Sequence, residues 1–403
     1  MKSVSFVCVL VLLGAQLALS QQPKPPAAAS AKVPVNVRAA LVFEQQGKIT
    51  EAEAQWKLVV KTQPGNAQAY AHIGFLEARQ QNYSEAIKFY QKAEALNPAI
   101  PQLKLNLGLA LFKSEKFKEA AKAFESALKE HTGLAEHQRL TILAAMAHYG
   151  AHEYATAIPF LKDAAATDKQ NLTLLLTLAH CYLWTKQIEP TLDVYKQILL
   201  INPDSAEADM IAGEALDEKG DNAGAVQQFR AAVQANPREP NVHFGLGYLY
   251  WTQKRYDEAI VEFKQELSND PSNNQAMVYL GDTYLQQSQY DLARQMLENA
   301  ARFKSREPLI PLDLGIVYME TGDNEGASRE LNKAIAVDPE NVTAHFRLAK
   351  LYQSIGKKEE AKAEFAKASS LNKKRDDDLH RRIAEGNARP AADAPGAPAE
   401  QPK

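Results

Sequence analysis

In residues 246–271, LGYLYWTQKRYDEAIVEFKQELSNDP, apolar side chains recur at spacings of three and four, break at Thr252-Gln253-Lys254-Arg255 and stop at Pro271. That periodicity predicts two short helices joined by a turn. A hairpin of this size cannot bury its apolar face alone, so the pattern must return elsewhere. It does: alanine or threonine stands at Ala52, Ala86, Ala120, Ala157, Thr191, Ala225, Ala259, Ala293, Ala327 and Ala361, every step being 34 residues except one of 37. Twelve positions earlier each time is a small residue, Ala40, Gly74, Gly108, Ala145, Ala179, Gly213, Gly247, Gly281, Gly315 or Ala349. Four positions later is a large one, from Trp56 and Tyr90 through Phe229 and Phe263 to Phe365. Two helices cross closely only where a small residue removes bulk, and large residues then fill the flanking space. Prolines 64, 98, 203, 237, 271 and 339 stop the second helix of six repeats.

This arrangement resembles the tetratricopeptide repeat, in which a bulky residue, Leu-Gly, an aromatic, then Ala, Phe or Tyr, Ala and Pro recur over 34 residues. The resemblance implies an all-α protein, a right-handed α-solenoid of ten tandem helix-turn-helix repeats over residues 33–373, starting near 33, 67, 101, 138, 172, 206, 240, 274, 308 and 342. Departures are local. Three extra residues around 131–137 are expected to lengthen a turn, and Thr132, Lys169, Ser305 and Lys373 stand where proline would. Glu266 takes a closing-alanine position, where its carboxylate must find a partner or reach water; snorkelling to water is the expectation. Residues 374–386, with Leu379 and Ile383 as their apolar stripe, suit a separate capping helix. Asp376, Asp377 and Asp378 are adjacent and point to different sides of a helix, which fits a helix start better than a metal site.

Composition changes the picture only at the ends. Residues 1–20 hold one lysine, an apolar run and Ala18-Leu19-Ser20, a signal peptide to be cleaved after Ser20, so export to the periplasm or the outside is expected. Cys8 follows Val7 rather than the small residue that lipidation needs. Residues 21–32 read as a Pro/Ala-rich disordered linker and 387–403 as a similar tail. Nothing between them is long and apolar enough to cross a bilayer. The formal charge of −3 becomes −4 without Lys2, 45 basic against 49 acidic residues, which gives no nucleic-acid-like excess. Only Cys181 survives processing, so no intramolecular disulfide can form; it falls on an apolar helix face and reads as a small buried hydrophobe.

Catalytic chemistry finds no foothold. His148 and His152 are four apart but lack the glutamate of a zinc-peptidase helix, and Gly245-Leu246-Gly247 lies inside a repeat helix rather than at a phosphate-binding turn. No Gly-x-Ser-x-Gly elbow is present. The expectation is therefore no enzyme, with no catalytic, metal-binding or cofactor-binding residue and no cofactor.

What the resemblance leaves for function is the concave groove, lined in this family at positions two, five, nine, twelve and thirteen of each first helix. Position nine, usually polar in the family, reads Leu41, Phe75, Leu109, Met146, His180, Glu214, Tyr248, Asp282, Ile316 and Lys350. With Phe112, Tyr149, Trp184, Phe244 and Trp251 beside them, these positions predict an exposed apolar groove that has no structural need to be apolar, and such area marks a binding site. Tyr250 and Tyr256 are expected to pack the hairpin, while Tyr248 and Trp251 face the groove. The alternative is that neighbouring repeats bury these residues against one another. Glu207, Glu214, Asp217 and Glu218, then Asp282 and Asp313, add an acidic stretch, so the expected partner is a protein or peptide, extended or helical, with apolar anchors followed by Lys or Arg. The clamp that some family members use for a free C-terminus is missing: Val37 and Leu41, and Ala71 and Phe75, stand where it needs Lys and Asn. A non-catalytic binding scaffold is the first reading, an adaptor in an envelope, secretion or polysaccharide-export complex the second, and a regulatory subunit of an enzyme the third.

Overall fold

The computed structural model describes residues 35–130, 133–303 and 307–384. The expected signal peptide, linker and tail, and the positions Thr132 and Ser305, lie outside the described residues. These residues form twenty α-helices, and no strand occurs among them. They divide into two compact bodies at Gly220 and Asp221. The first body contains α1 (Val35–Gln45), α2 (Ile49–Thr62), α3 (Ala67–Arg79), α4 (Tyr83–Leu96), α5 (Leu103–Lys113), α6 (Phe117–Leu128), α7 (Leu134–Gly150), α8 (Tyr154–Thr167), α9 (Leu172–Trp184), α10 (Ile188–Ile201) and α11 (Ala206–Lys219). The second contains α12 (Asn222–Ala235), α13 (Val242–Thr252), α14 (Tyr256–Asn269), α15 (Asn274–Gln286), α16 (Tyr290–Ala301), α17 (Leu309–Glu320), α18 (Asn324–Val337), α19 (Val342–Ser354) and α20 (Lys358–Ala384). Within each body consecutive helices pack on one another, as a tandem hairpin array requires.

The small-against-large pairing is literal. A Cβ added at Gly74 would stand 2.8 Å from the ring of Tyr90, at Gly108 2.6 Å from Phe124, at Gly247 2.8 Å from Phe263 and at Gly315 2.7 Å from Leu331. In each case the first helix lies directly against the large residue of the second. Trp56 plays the same part near the start, 2% exposed, its indole N–H donating to the buried Glu44 and its ring stacked 4.4 Å from His72. Cys181 is fully buried and free, and burial pushes its thiol up to about 12.

The turn between paired helices uses a device the apolar pattern does not display. Backbone φ is positive at Gly47, Gln81, Glu115, His152, Lys186, Gly220, Lys254, Ser288, Gly322 and Gly356, steps of 34 residues with one of 37. A left-handed residue there lets the chain fold back on the last turn: Lys254 N–H donates to the Trp251 carbonyl at 2.9 Å and Arg255 N–H to Tyr250 at 2.9 Å. Asn66, Asn171, Ser205, Asn273 and Asn341 then cap the first helix of their repeats through their side chains.

Three local expectations need correction. The extra residues near 131–137 lengthen a helix: α7 begins at Leu134 and runs for 17 residues, against 11 to 14 in the other first helices of the pairs. The separate capping helix is absent, because α20 continues unbroken from Lys358 to Ala384 over 27 residues. Lys373 supplies no stop where other repeats have proline, and Leu379 remains 42% exposed instead of covering a core. Glu266 does not snorkel. It is 2% exposed and accepts from the backbone N–H groups of Asn241 and Phe244, both at 3.1 Å, and from Asn273 Nδ2 at 3.0 Å.

Candidate functional site

In the second body the first helices of successive repeats place aromatic rings in one cluster around Tyr279 of α15. Its ring centroid lies 5.3 Å from Tyr248 and 4.9 Å from Trp251, both nearly edge-on, 5.8 Å from Phe244 and 6.2 Å from Phe263. Tyr248 also stacks on Trp251 at 5.8 Å. These offset and edge-on arrangements match the quadrupoles of the rings. Asp282, on the same helix as Tyr279, accepts from the Trp251 indole N–H and from Gln286 Nε2, the latter at 3.1 Å.

The first body has a comparable cluster. Trp184 stacks on Tyr149 at 5.9 Å, lies 4.4 Å from Tyr154 and 5.4 Å from His180. His180 Nε2 pairs with Glu207 Oε1 at 3.2 Å. Glu214, half-buried on α11, is held above the usual carboxylate range by desolvation, which the nearby His180 partly offsets, and Asp217 is raised by the same burial and by Glu218.

The sequence therefore named residues that do converge, but it misjudged their exposure. Phe75, Leu109, Phe112, Met146, Tyr149, His180, Phe244, Trp251 and Asp282 are all buried, whereas Trp184, Glu214, Asp217 and Tyr248 are half-buried, as are Leu41, Ile316 and Lys350 at position nine. Phe112 meets Phe117 of its own hairpin edge-on at 5.2 Å, and Trp251 is covered by Tyr279 of the next repeat. Stacked first helices thus bury much of each other's lining, which was the alternative weighed for these positions. The expectation that Trp184 and Trp251 are alike in the open fails for Trp251, at 6% exposed. Phe75 and Leu109 join neither aromatic cluster. Tyr154 and Tyr279 were not among the lining positions. Tyr154 stands three repeats before Tyr256, at the same hairpin-packing position, and Tyr279 is an aromatic in a hairpin that already holds Tyr284 and Tyr290. Tyr250 packs as expected, 3% exposed, accepting from Arg230 Nε at 2.8 Å with the Arg255 guanidinium 4.4 Å from its ring centroid.

Asp313 is the outlier of the second body. It sits on α17, is 3% exposed, and its Oδ2 has no hydrogen-bond partner. Burial holds this carboxyl well above the ordinary range, and the carboxylates of Asp282 and Glu307 push the same way. A carboxyl whose folded pKa exceeds its unfolded value binds more protons in the folded state, so its contribution to stability falls as pH rises through that interval. Asp313→Asn is therefore expected to raise the melting temperature at pH 7, with the gain shrinking as the pH is lowered to about 4, where the unfolded carboxyl also takes up its proton. Thermal melts of both proteins across that range test the sign. An unchanged or lowered melting temperature at pH 7 would mean that the charge is compensated.

Among known proteins, a model described as Tetratricopeptide repeat matches residues 37–101, 105–171, 189–240, 212–274 and 244–308, and a second of the same description matches 148–214. Further repeat models match 315–356 and 342–375. The BBSome complex member BBS4 of Bos taurus is 24% identical over 329 residues, covering 81% of this chain and 62% of that protein. Anaphase-promoting complex subunit 3 of Schizosaccharomyces pombe is 24% identical over 197 residues, 49% of this chain and 30% of that protein. The chain thus spans about three-fifths or less of the length of these relatives. Of solved structures, MamA aligns with a TM-score of 0.38 at 24% identity over 41% of this chain and 96% of MamA. The repeat models cover most of the described helices, and the chain belongs to the tetratricopeptide repeat family.

Proposed function

We propose that this chain is a non-catalytic scaffold that binds a protein or peptide segment on the face built by the first helix of each repeat. The observation that carries the reading is the convergence, in each body, of aromatic and acidic side chains from successive first helices, with Trp184 and Tyr248 half-buried at the clusters. Packing a hairpin already uses Tyr250 and Phe263, so the additional rings are surplus to that task. Two relatives carry names that place them in multiprotein assemblies, which agrees with a binding role. Residues 1–20 have the features of an export signal, so the partner is to be sought outside the cytoplasm.

A second reading rests on the opposite face. Large apolar residues left exposed on second helices include Leu200 at 87% and Val261 at 61%. In the second body a cleft of 360 Å³ beside Val261 is lined by Arg230, Tyr250, Glu258 and Glu262 among others. An adaptor that docks by its outer helices would use these positions.

Site-specific photo-crosslinking separates the two. A benzophenone side chain at position 184 or 248 should crosslink a discrete partner from an envelope extract, and the same group at 200 or 261 should not. Crosslinks confined to 200 and 261 would move the interface to the second helices.

A further inference from the structure

The side of α11 turned toward α9 carries more acid than the first body uses. Glu214 and Glu218 follow Glu207 by seven and eleven residues, which puts all three on one side of the helix. Two contacts fix where that side points: Glu207 Oε1 meets His180 Nε2 of α9 at 3.2 Å, and Lys186, just beyond α9, donates to Glu218. Glu214 lies between them, half-buried, with no hydrogen-bond or ion-pair partner among the described residues. The equivalent acid of the second body shows what is missing. Asp282 accepts from the indole N–H of Trp251, 31 residues earlier, whereas the residue at that distance before Glu214 is Leu183, which has no donor to offer. A carboxylate in that state has given up water and gained nothing in return. His180 adds a second unmet group, being 8% exposed with Nδ1 buried and without a partner. Trp184, next to Leu183, places its ring 5.4 Å from His180 and 4.4 Å from Tyr154. The corner is open to solvent, since Trp184, Tyr154, Glu207 and Glu214 are half-buried and Glu218 is exposed.

We propose that this edge of the first body is a subsite for one lysine or arginine side chain of a bound protein segment, its stem lying on Trp184 and its cationic head paired with Glu214. The proposal rests on the reading of the first-helix face as a protein-binding surface and adds to it the chemistry of one anchor. The body already makes such a pair within its own chain, where Lys186 takes Glu218 one turn beyond Glu214. An ammonium or guanidinium brings several N–H donors to a corner whose acceptors lack them, and the indole beside it adds cation–π attraction to the charge-assisted bond. The local charge agrees. Along α11, Glu207, Asp209, Glu214, Asp217 and Glu218 stand against Lys219 alone, which is itself paired with Glu189. Glu207, with its side chain 30% exposed and only Oε1 engaged by His180, extends the attraction toward the start of the helix. A phosphate would meet like charge. Calcium or magnesium needs six or more oxygens, and no group of three His, Cys, Asp or Glu residues able to hold an ion occurs among the described residues.

The probes are Nα-acetyl-lysine amide and Nα-acetyl-arginine amide, with Nα-acetyl-norleucine amide as the uncharged control, titrated into the full chain with its tryptophans labelled by nitrogen-15. The Trp184 indole resonance, assigned with Trp184→Phe, should move saturably at roughly millimolar concentrations of either cationic amide and stay still with norleucine. Glu214→Gln keeps the shape of the side chain and removes its charge, and should weaken the response about tenfold or more. Glu207→Gln should weaken it about threefold, while Glu325→Gln, at an exposed acid of the second body, leaves it unchanged. No shift with either cation, the same shift with norleucine, or a response that Glu214→Gln leaves intact overturns the subsite. The crosslinked partner then gives the second arm. If it binds Glu214→Gln as tightly as wild type, the subsite fails while the face keeps its role. If the amides bind but no partner crosslinks at 184 or 248, the binding-face reading fails, and with it the assignment of the anchor to a protein segment.

Discussion

Gly245→Leu should destabilise the second body by about 3 kcal/mol or more, the upper end of the cost of overpacking a helix contact. A Cβ at this position would stand 2.2 Å from Cε1 of Phe229, 2.7 Å from its Cζ and 2.9 Å from its Cδ1, closer than at any of the repeat-defining glycines. Phe229 is 2% exposed on α12, so its ring has little room in which to retreat. Gly247→Leu meets Phe263 at 2.8 Å and should cost about 1–3 kcal/mol. Lys254→Ala, in the solvent-exposed turn, should fall within about 0.5 kcal/mol of wild type. Denaturant midpoints give the order. Because the clash has one named partner, Phe229→Leu should restore part of the loss in the Gly245→Leu background, with a coupling of about 1 kcal/mol or more in the double-mutant cycle. Additive losses would mean that α12 and α13 do not meet at this pair of residues.

Gly245 also shows where sequence reading reached its limit. The recurrence of small and large residues at fixed spacing located Gly247 and Phe263, because that contact repeats and a repeat can be read from spacing alone. Gly245 contacts the preceding second helix rather than its own partner, and in most repeats its position is not glycine, so periodicity carries no trace of it. The same holds at the candidate site. Spacing identified Phe244, Tyr248, Trp251 and Asp282 as members of one face, which depends only on helical geometry. Whether they are exposed depends on how closely one repeat stacks on the next, and Tyr279 makes that decision for Trp251. Burial is a property of neighbouring repeats, whereas the heptad-like pattern within a helix reports only on its own face. The long α20 is a third example: the absence of proline at Lys373 was legible, but continuation of the helix is the sum of many weak preferences with no single marker.

Glu266→Ala should destabilise the second body by about 2–5 kcal/mol, although alanine is the residue the repeat pattern favours there. The helix that Glu266 serves, α13, begins badly. Its N-cap, Asn241, is in the left-handed region at φ 66°, and its side chain makes no capping bond, unlike Asn273 and Asn341 at the corresponding starts of later repeats. The first N–H groups of a helix have no partner within it, and here they are shut away from water. Glu266 reaches back from α14 and supplies what is missing, one oxygen accepting from Asn241 N–H and Asn273 Nδ2 and the other from Phe244 N–H. A carboxylate at a helix N-terminus also gains from the dipole. Alanine would leave the Phe244 N–H buried with no acceptor and leave Asn273 Nδ2 with Asn241 Oδ1, at 3.1 Å, as its remaining acceptor. Glutamine keeps one acceptor oxygen and turns its other group into a donor facing a donor, so Glu266→Gln should fall between alanine and wild type. Amide hydrogen exchange gives the local readout: the Phe244 amide should lose protection in Glu266→Ala well before amides in the middle of α13. A melting temperature raised by the alanine, with Phe244 still protected, would show that α13 is capped by some other group and that the buried carboxylate is a burden on the fold.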